Sequence, residues 1–150
     1  MNACANISYV DKTNNIHTIY CHNGGFIEEL GTTLFNFYNN MEKVIELISN
    51  GDASYIDKLI KPNSNYVHSW YSPQKDVCLF YHRDREEPWE GNKPNILNLT
   101  KTNLNKVMGV RAYNYIYMNN KWYVNRYGDV NIYELTAEVV NNGLNCESKE

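Results

Sequence analysis

The residues best suited to chemistry lie in a short charged segment, residues 81–87, that reads Tyr-His-Arg-Asp-Arg-Glu-Glu. It directly follows an apolar run and contains two of the chain's four arginines, Arg83 and Arg85. A guanidinium group is planar and offers several N–H donors in a fixed geometry, which suits phosphate or carboxylate groups. The charged segment therefore predicts an anion-binding site, with Tyr81, His82, Arg83 and Arg85 as its candidate residues.

The same segment also has a purely structural interpretation. Its three acidic residues, Asp84, Glu86 and Glu87, can neutralise the neighbouring basic groups. It could then be a solvated strand end whose charges pair among themselves and contribute little. The sequence leaves both interpretations open.

A second candidate is the glycine bend, residues 23–25, between a predicted strand that ends at His22 and a predicted helix. Gly24 and Gly25 would let backbone N–H groups approach an anion near a helix N-terminus. No Gly-Lys-Ser/Thr sequence follows, so the bend is not a P-loop. Phe26 either stacks on a base or fills the core. The glycine bend becomes a binding site only if it lies beside the charged segment.

Two histidines, His22 and His82, each end a predicted strand. Placed side by side they could act as acid and base, so an enzyme that opens a cyclic nucleotide is one alternative function. The sequence lacks the H-x-[ST] repeats of paired-histidine phosphodiesterases, a Ser-His-Asp arrangement and an H-E-x-x-H motif. We therefore expect no catalytic residue. His17 and His68 have no evident partner and are interpreted as surface or core residues.

The predicted elements divide three aromatic residues into one candidate for ligand stacking and two that are expected to pack within the fold. Trp89 lies in a long predicted loop beside the arginines and is the better candidate for stacking on a ligand. Trp122 and Tyr123 follow a predicted hairpin turn and are expected to pack on the sheet.

Length and composition favour one globular domain over residues 1–150. The net charge of −3 argues against binding polymeric nucleic acid, which requires a basic surface. The sequence shows no apolar run of membrane-spanning length and no secretion signal at its N-terminus, so a cytoplasmic protein without a membrane partner is expected. The four scattered cysteines predict free thiols, with Cys21 and Cys78 buried, and neither a metal site nor a cofactor is expected.

Periodicity predicts the elements that position these residues. Strands are expected over 2–12, 16–22, 76–82, 110–118, 121–127 and 130–135. Helices are expected near 30–38 and 41–48, with shorter helical turns near 52–60 and 104–108, the latter capped by Thr102. Residues 63–75 and 83–95 are predicted loops, and the tail from residue 141 is predicted to be frayed. The sum is an α+β fold, an antiparallel sheet of five or six strands with two or three helices packed on one face.

Several short sequence blocks occur in a fixed order over most of the chain. They are Ile19-Tyr20-Cys21-His22, Gly25, Glu28, Gly31, Leu34, Glu42-Lys43-Val44, Leu47-Ile48, Gly51-Asp52, Ser54, Tyr81-His82-Arg83-Asp84-Arg85 and Lys121-Trp122-Tyr123. In these blocks the chain resembles a group of small phage and prophage proteins whose shared pattern runs roughly I-Y-C-H-x-D-G-Y, then E-K-V-x-x-L-I-x-x-G-D-x-S, then Y-H-R-D-R-G-E and K-W-Y. Gly24 stands where that pattern has aspartate, and Glu86 where it has glycine.

The resemblance implies a function in countering host defence. Some small phage proteins of this kind look like sponges, compact α+β proteins, commonly oligomeric, that sequester cyclic-nucleotide or ADP-ribose-derived signals. By this analogy we expect a non-enzymatic homo-oligomer in the cytoplasm of an infected bacterial host, evading immunity by binding a small nucleotide-derived signal. The missing aspartate at Gly24 favours binding over catalysis.

In this hypothesis Arg83 and Arg85 hold phosphates, while His22 and His82 donate hydrogen bonds to phosphate or ribose. Phe26 or Trp89 would stack on the base. A further alternative is a protein-interaction module that blocks a host effector through the tyrosine-rich strands.

Overall fold

The structure is a computed structural model that describes residues 3–99, 104 and 108–144. Its strands form one mixed sheet of eight: β1 Ala5–Val10, β2 Asn15–Cys21, β3 Ala53–Tyr55, β4 Leu79–Phe80, β5 Asn95–Asn98, β6 Tyr113–Met118, β7 Lys121–Arg126 and β8 Tyr133–Glu134. The strand order is β4-β3-β2-β1-β6-β7-β8, and β5 also pairs with β2. The α+β class is confirmed.

The sheet is mostly antiparallel, as predicted, but it has more than the expected five or six strands and is mixed. Strands β1 and β6 run parallel, as do β2 and β3. Two strands were not predicted: β3 lies within an expected helical turn, and β5 begins at the last residue of the expected loop 83–95 and continues through residues to which no element was assigned. They have three and four residues, too few to show a clear alternation of buried and exposed positions.

The β1–β2 and β6–β7 hairpins form because local turn chemistry specifies them. In the β1–β2 turn, the Asp11 carboxylate accepts the backbone N–H groups of Thr13 and Asn15, each at 2.9 Å. In the β6–β7 turn, Asn119 and Asn120 both have positive φ, as a tight hairpin requires. The register of β1 with β2 places Ile7 opposite Ile19 on the buried face.

The helices lie mainly on that buried face of the sheet. They are a π-helical turn Ile27–Gly31, α1 Thr32–Phe37, α2 Met41–Ile48, α3 Tyr81–Arg85 and α4 Ala137–Asn142, with a 3-10 turn Trp89–Gly91. In α2 the Asn40 side chain accepts the Lys43 N–H at 2.9 Å, and Val44, Leu47 and Ile48 are buried. Side chains of α1, α2, α4 and the π-helical turn form the main core with the inner face of the sheet. No helix within the described residues is long and apolar enough to cross a bilayer.

Two boundaries differ from prediction for physical reasons. The expected strand 76–82 shortens to Leu79–Phe80, because the Asp84 carboxylate accepts the Phe80 N–H at 2.8 Å and turns the chain into α3. The expected frayed tail is wrong for residues 141–144, since α4 continues to Asn142 and Leu144 is buried. Residues 145–150, the predicted cap Thr102 and most of the short helix expected over 104–108 lie outside the described residues.

Cys4, Cys21 and Cys78 are free thiols, and the predicted burial of Cys21 and Cys78 is confirmed. Trp122 packs on the sheet as predicted. Its indole N–H donates to the Tyr38 carbonyl at 2.7 Å, and its ring meets Tyr117 edge-on.

Candidate functional site

The charged segment forms α3 and the turn after it, and Arg83 there is bound to the protein itself. Its Nη1 donates to the Ile60 carbonyl at 2.6 Å and its Nη2 to the Cys78 carbonyl at 3.0 Å. The Nε and Nη2 atoms also donate to the two carboxylate oxygens of Asp84, at 2.8 and 2.9 Å. Four of the five guanidinium N–H groups are therefore used, and Arg83 joins α3 to the long loop before β4.

The partner carboxylate is buried beside a histidine. The Asp84 side chain is 3% exposed, and His68 Nε2 lies 3.5 Å from it. His68 donates from Nε2 to the Cys78 carbonyl at 2.9 Å and accepts the Gln74 N–H at Nδ1, also at 2.9 Å. His68 thus has partners that the sequence did not indicate, and it ties residues 68–78 to α3. His17 has one as well, because its Nε2 lies 2.8 Å from the Asp11 carboxylate.

Arg85 has a different environment from Arg83. Its guanidinium lies over the Trp70 ring at 4.2 Å and over the Tyr81 ring at 5.7 Å. Its Nε forms an ion pair with Glu87 at 2.9 Å, while its terminal nitrogens donate no hydrogen bond to any described residue. Arg85 therefore keeps the part of its side chain that can bind an anion.

The glycine bend is filled by the protein's own groups. The Gly25 N–H donates to the Ala3 carbonyl at 2.8 Å, and the Gly25 carbonyl accepts the buried Tyr115 hydroxyl at 2.7 Å. A Cβ on Gly25 would approach the Ala3 carbonyl to 2.7 Å, and Gly24 has a φ of +72°. Close packing and backbone conformation account for both glycines. Phe26 is half-buried and meets Tyr113 edge-on.

The two histidines at the strand ends do not form a pair. His22 hydrogen-bonds through Nδ1 to the Tyr20 hydroxyl at 2.7 Å. His82 donates from Nδ1 to the Glu87 carbonyl at 2.8 Å and meets the Trp89 ring edge-on at 5.3 Å. No hydrogen bond in the described part of the chain joins one histidine to the other.

The sheet register separates the glycine bend from the charged segment. Strand β2 runs parallel to β3 and β4 runs antiparallel to it, so the chain leaves β2 and β4 in opposite directions. The Asn23 N–H accordingly donates to the carbonyl of Ser54 in the middle of β3, whereas the Tyr81 N–H donates to that of Asp52, just before β3. The structure does bring together His82, Arg83 and Trp89, which line an open recess of about 710 Å³ with Ser49 and Asn50. The nine predicted site residues are thus divided among at least two places.

A polar cleft that the sequence reasoning missed lies on the outer face of the sheet, where β5 and β3 share the edge of β2. Its volume is about 280 Å³, and its lining includes Asn6, Thr18, Tyr20, Asp52, Lys93, Asn95 and Arg111. The opening exists because β5 pairs with residues 15–18 of β2 and β3 pairs only with Cys21. Between them, the Asp52 carboxylate accepts the Tyr20 N–H at 2.9 Å in place of a strand carbonyl.

Arg111 and Asp52 supply the cleft's distinctive chemistry. The Arg111 guanidinium lies 4.6 Å from the centre of the Tyr20 ring, and its Nε donates to Asn6 at 3.4 Å. No described residue accepts a hydrogen bond from the terminal nitrogens of Arg111. No described residue donates a hydrogen bond to the second carboxylate oxygen of Asp52. Burial raises the pKa of Asp52, partly offset by the Tyr20 N–H and by Arg111. The cleft therefore presents an anion donor set and a carboxylate acceptor together.

Two buried amides hold the backbone of Arg111. Asn114 accepts the Arg111 N–H at 3.1 Å and donates to the Arg111 carbonyl at 3.0 Å. Asn114 also donates to Asn125 at 3.2 Å, and Asn125 in turn donates to the carbonyls of Asp129 and Asn131. Such a satisfied buried network is rigid, so Arg111 is presented from a fixed base.

Lys93 brings a second cation to the same cleft. Its ammonium pairs with Glu90 at 2.8 Å, and the preceding residue, Asn92, accepts the Asp52 N–H through its carbonyl at 2.7 Å.

No group of three metal-binding side chains occurs among the described residues. The chain matches no family model, no curated protein and no solved structure.

Proposed function

We propose that the protein binds and sequesters a small nucleotide-derived signal, of the cyclic-nucleotide or cyclic ADP-ribose class, without cleaving it. The observation that carries the proposal is Arg111, which is held over Tyr20 with terminal nitrogens that donate to no described residue and lines a cleft that also contains Asp52. The resemblance to small phage proteins supplies the biological context, in which the protein would counter host defence in the cytoplasm of an infected bacterium.

The cleft suits the ribose-phosphate part of such a ligand. A phosphodiester oxygen pair matches the two terminal nitrogens of a guanidinium, and Lys93 adds a second positive charge. The free oxygen of Asp52 can accept a hydrogen bond from a ribose hydroxyl. These bonds count for more in a partly enclosed cleft than on an open surface, because the local dielectric is lower. Arg111 and Lys93 thus take the phosphate-binding role that the sequence gave to Arg83, whereas Asp52 would accept a hydrogen bond from ribose where His22 and His82 were expected to donate one.

The test is a retention experiment with a panel of cyclic nucleotides and cyclic ADP-ribose. Protein is incubated with each compound, freed of excess and denatured by heat, and the released molecules are identified by mass spectrometry. We expect an intact ligand. A cleaved product would favour the enzymatic alternative, although His22 and His82 have separate partners.

Arg111→Ala should reduce binding by about tenfold or more, since a hydrogen bond to a charged group contributes about 1.5–3 kcal/mol. Arg126→Ala is the matched control, because Arg126 lines none of the clefts described above. Equal retention by wild type and Arg111→Ala would contradict the proposed site.

A protein-interaction module is the second candidate, and one observation favours it. The loop before β4 exposes Tyr66, Val67 and Tyr71, the last of these 92% exposed. Of the tyrosine-rich strands named for this role, Tyr115 and Tyr117 are buried, whereas Tyr127, just after β7, is 74% exposed. A stoichiometric host protein captured by wild type but not by a Val67→Ser/Tyr71→Ser variant would support this candidate over sequestration.

A further inference from the structure

Arg85 and Arg111 have the same arrangement at two separate places on the surface. Each guanidinium lies on an aromatic ring, each Nε contacts a side-chain oxygen, and the terminal nitrogens of each donate to no described residue. We propose that the ligand carries two separated phosphodiester groups, one bound at Arg111 and the other at Arg85. This inference rests on the proposed function and narrows its ligand to the cyclic dinucleotide class.

The Arg85 site has its own recess and its own stacking surface. The recess has a volume of about 480 Å³ and is lined by residues 68–71 and 83–86. Trp70 there is 39% exposed, and Tyr71 stands almost fully in solvent. A guanidinium that already lies on an indole ring has little conformational freedom left to lose when an anion binds, so the site is partly preorganised.

Asp52 connects the two sites. Its side chain accepts the Tyr20 N–H at 2.9 Å, and its carbonyl accepts the Tyr81 N–H at 3.1 Å. The Tyr20 ring packs against the Arg111 guanidinium, and the Tyr81 ring packs against the Arg85 guanidinium. Because β2 and β4 flank β3, the two tyrosine backbones are about 10 Å apart, two strand spacings. The two proposed subsites are thus attached to neighbouring positions of the sheet, as binding of one ligand by both requires.

Cleft size argues for two subsites rather than one. The polar cleft, at about 280 Å³, lies just below the range of about 300–1,000 Å³ usual for small-molecule sites. It can hold one nucleotide unit, and the second unit then requires other surface. The Arg85 recess could supply that surface, because Arg85, which lines it, contacts the Tyr81 ring.

Local charge at the Arg85 recess favours a phosphodiester over a phosphomonoester. Four charged residues line it, Arg83, Asp84, Arg85 and Glu86, and the first two neutralise each other. Glu87 pairs with Arg85. With Arg85 paired to Glu87 and Glu86 beside it, the recess has no spare positive charge, so an anion there would bind through the terminal N–H donors of Arg85. The single charge of a phosphodiester is repelled less by these carboxylates than the higher charge of a monoester.

The experiment is calorimetric titration with a matched pair of probes, cyclic AMP and 3′,3′-cyclic di-AMP, which share base and linkage. We expect wild type to bind cyclic di-AMP more tightly than cyclic AMP. Arg85→Ala should weaken cyclic di-AMP by about tenfold and leave cyclic AMP unchanged, whereas Arg111→Ala should weaken both. Arg126→Ala should change neither. Arg85→Lys, which keeps the charge but not the planar group, replaces Arg85→Ala if that variant fails to fold.

The outcomes separate the two proposals. Equal binding of both probes by wild type, or an Arg85 variant that affects neither, would overturn the two-anion inference and leave sequestration at Arg111 intact. Failure of wild type to bind either probe would overturn the inference, and the panel experiment above would then decide the proposed function separately. If the Arg85 variant binds neither probe but keeps the thermal midpoint of wild type, the inference of two separate subsites would also be overturned.

Discussion

At the scale of single residues, the two arginines of one helical turn have opposite roles. Arg83 donates four hydrogen bonds inside the protein, while Arg85, two residues on, lies against Trp70 with its terminal nitrogens free. The difference comes from the partners rather than from the residue type. A guanidinium that satisfies buried carbonyls stabilises the fold, and one that ends at solvent can bind a ligand.

Arg83→Ala tests this distinction. It leaves the buried Asp84 carboxylate without its charged partner, and we expect the free energy of unfolding to fall by about 3 kcal/mol, as for other broken buried pairs. Urea denaturation monitored by tryptophan fluorescence provides the measurement, with Arg126→Ala as a control expected within about 0.5 kcal/mol of wild type. An unchanged midpoint together with lost nucleotide binding would return Arg83 to the ligand site.

At the scale of elements, the polar cleft exists because two strands divide one edge of β2. Strand β5 takes residues 15–18 and β3 takes Cys21, so the Tyr20 N–H between them needs another acceptor. The Asp52 carboxylate supplies it. The gap in the sheet and the acidic group in the cleft are therefore one structural feature.

A pair of substitutions at Asp52 separates its structural role from its binding role. Asp52→Ala leaves the Tyr20 N–H unsatisfied and should lower stability by about 1–3 kcal/mol, whereas Asp52→Asn keeps an acceptor oxygen and should change stability little. Hydrogen exchange at the Tyr20 amide should accelerate in the alanine variant alone. Equal exchange rates in all three proteins would show that the carboxylate does not protect that amide.

At the scale of the whole molecule, exposed apolar surface adjoins one of the two arginine sites, because Tyr71 also lines the Arg85 recess. The net charge of −3 coexists with two guanidinium groups, those of Arg85 and Arg111, whose terminal nitrogens donate to no described residue, so local geometry rather than overall charge would attract an anion. The exposed loop with Tyr66, Val67 and Tyr71 is the most evident apolar surface in the described part of the chain. We expect it to contribute to the predicted homo-oligomer.

Light scattering coupled to size exclusion tests that expectation. Wild type should elute as a dimer or larger species at micromolar concentration, and Val67→Ser/Tyr71→Ser should shift it towards the monomer with an unchanged thermal midpoint. These residues are exposed, so the substitutions remove little buried area within a subunit. A monomeric wild type would contradict the homo-oligomer.

The local sequence predicted correctly those features that are determined by residues close together in the chain. The Asn119-Asn120 turn, helix α2 and the packing of Trp122 on the sheet follow from turn chemistry, helical periodicity and alternation over a few positions. The α+β class follows from the same patterns. The short strands β3 and β5 carried no such pattern, because pairing with β2 creates them.

The sequence by itself determined the hairpins, the amphipathic helix and the presence of a few arginines beside aromatic residues in an acidic chain. Tertiary structure decided which arginine is free and where the cleft opens. Arg111 contacts Asn6, 105 residues away, and Tyr20 is bound to Asp52, 32 residues away. The physical reason is that a side chain's role depends on which groups satisfy its hydrogen bonds, and those groups are brought together only when the sheet assembles.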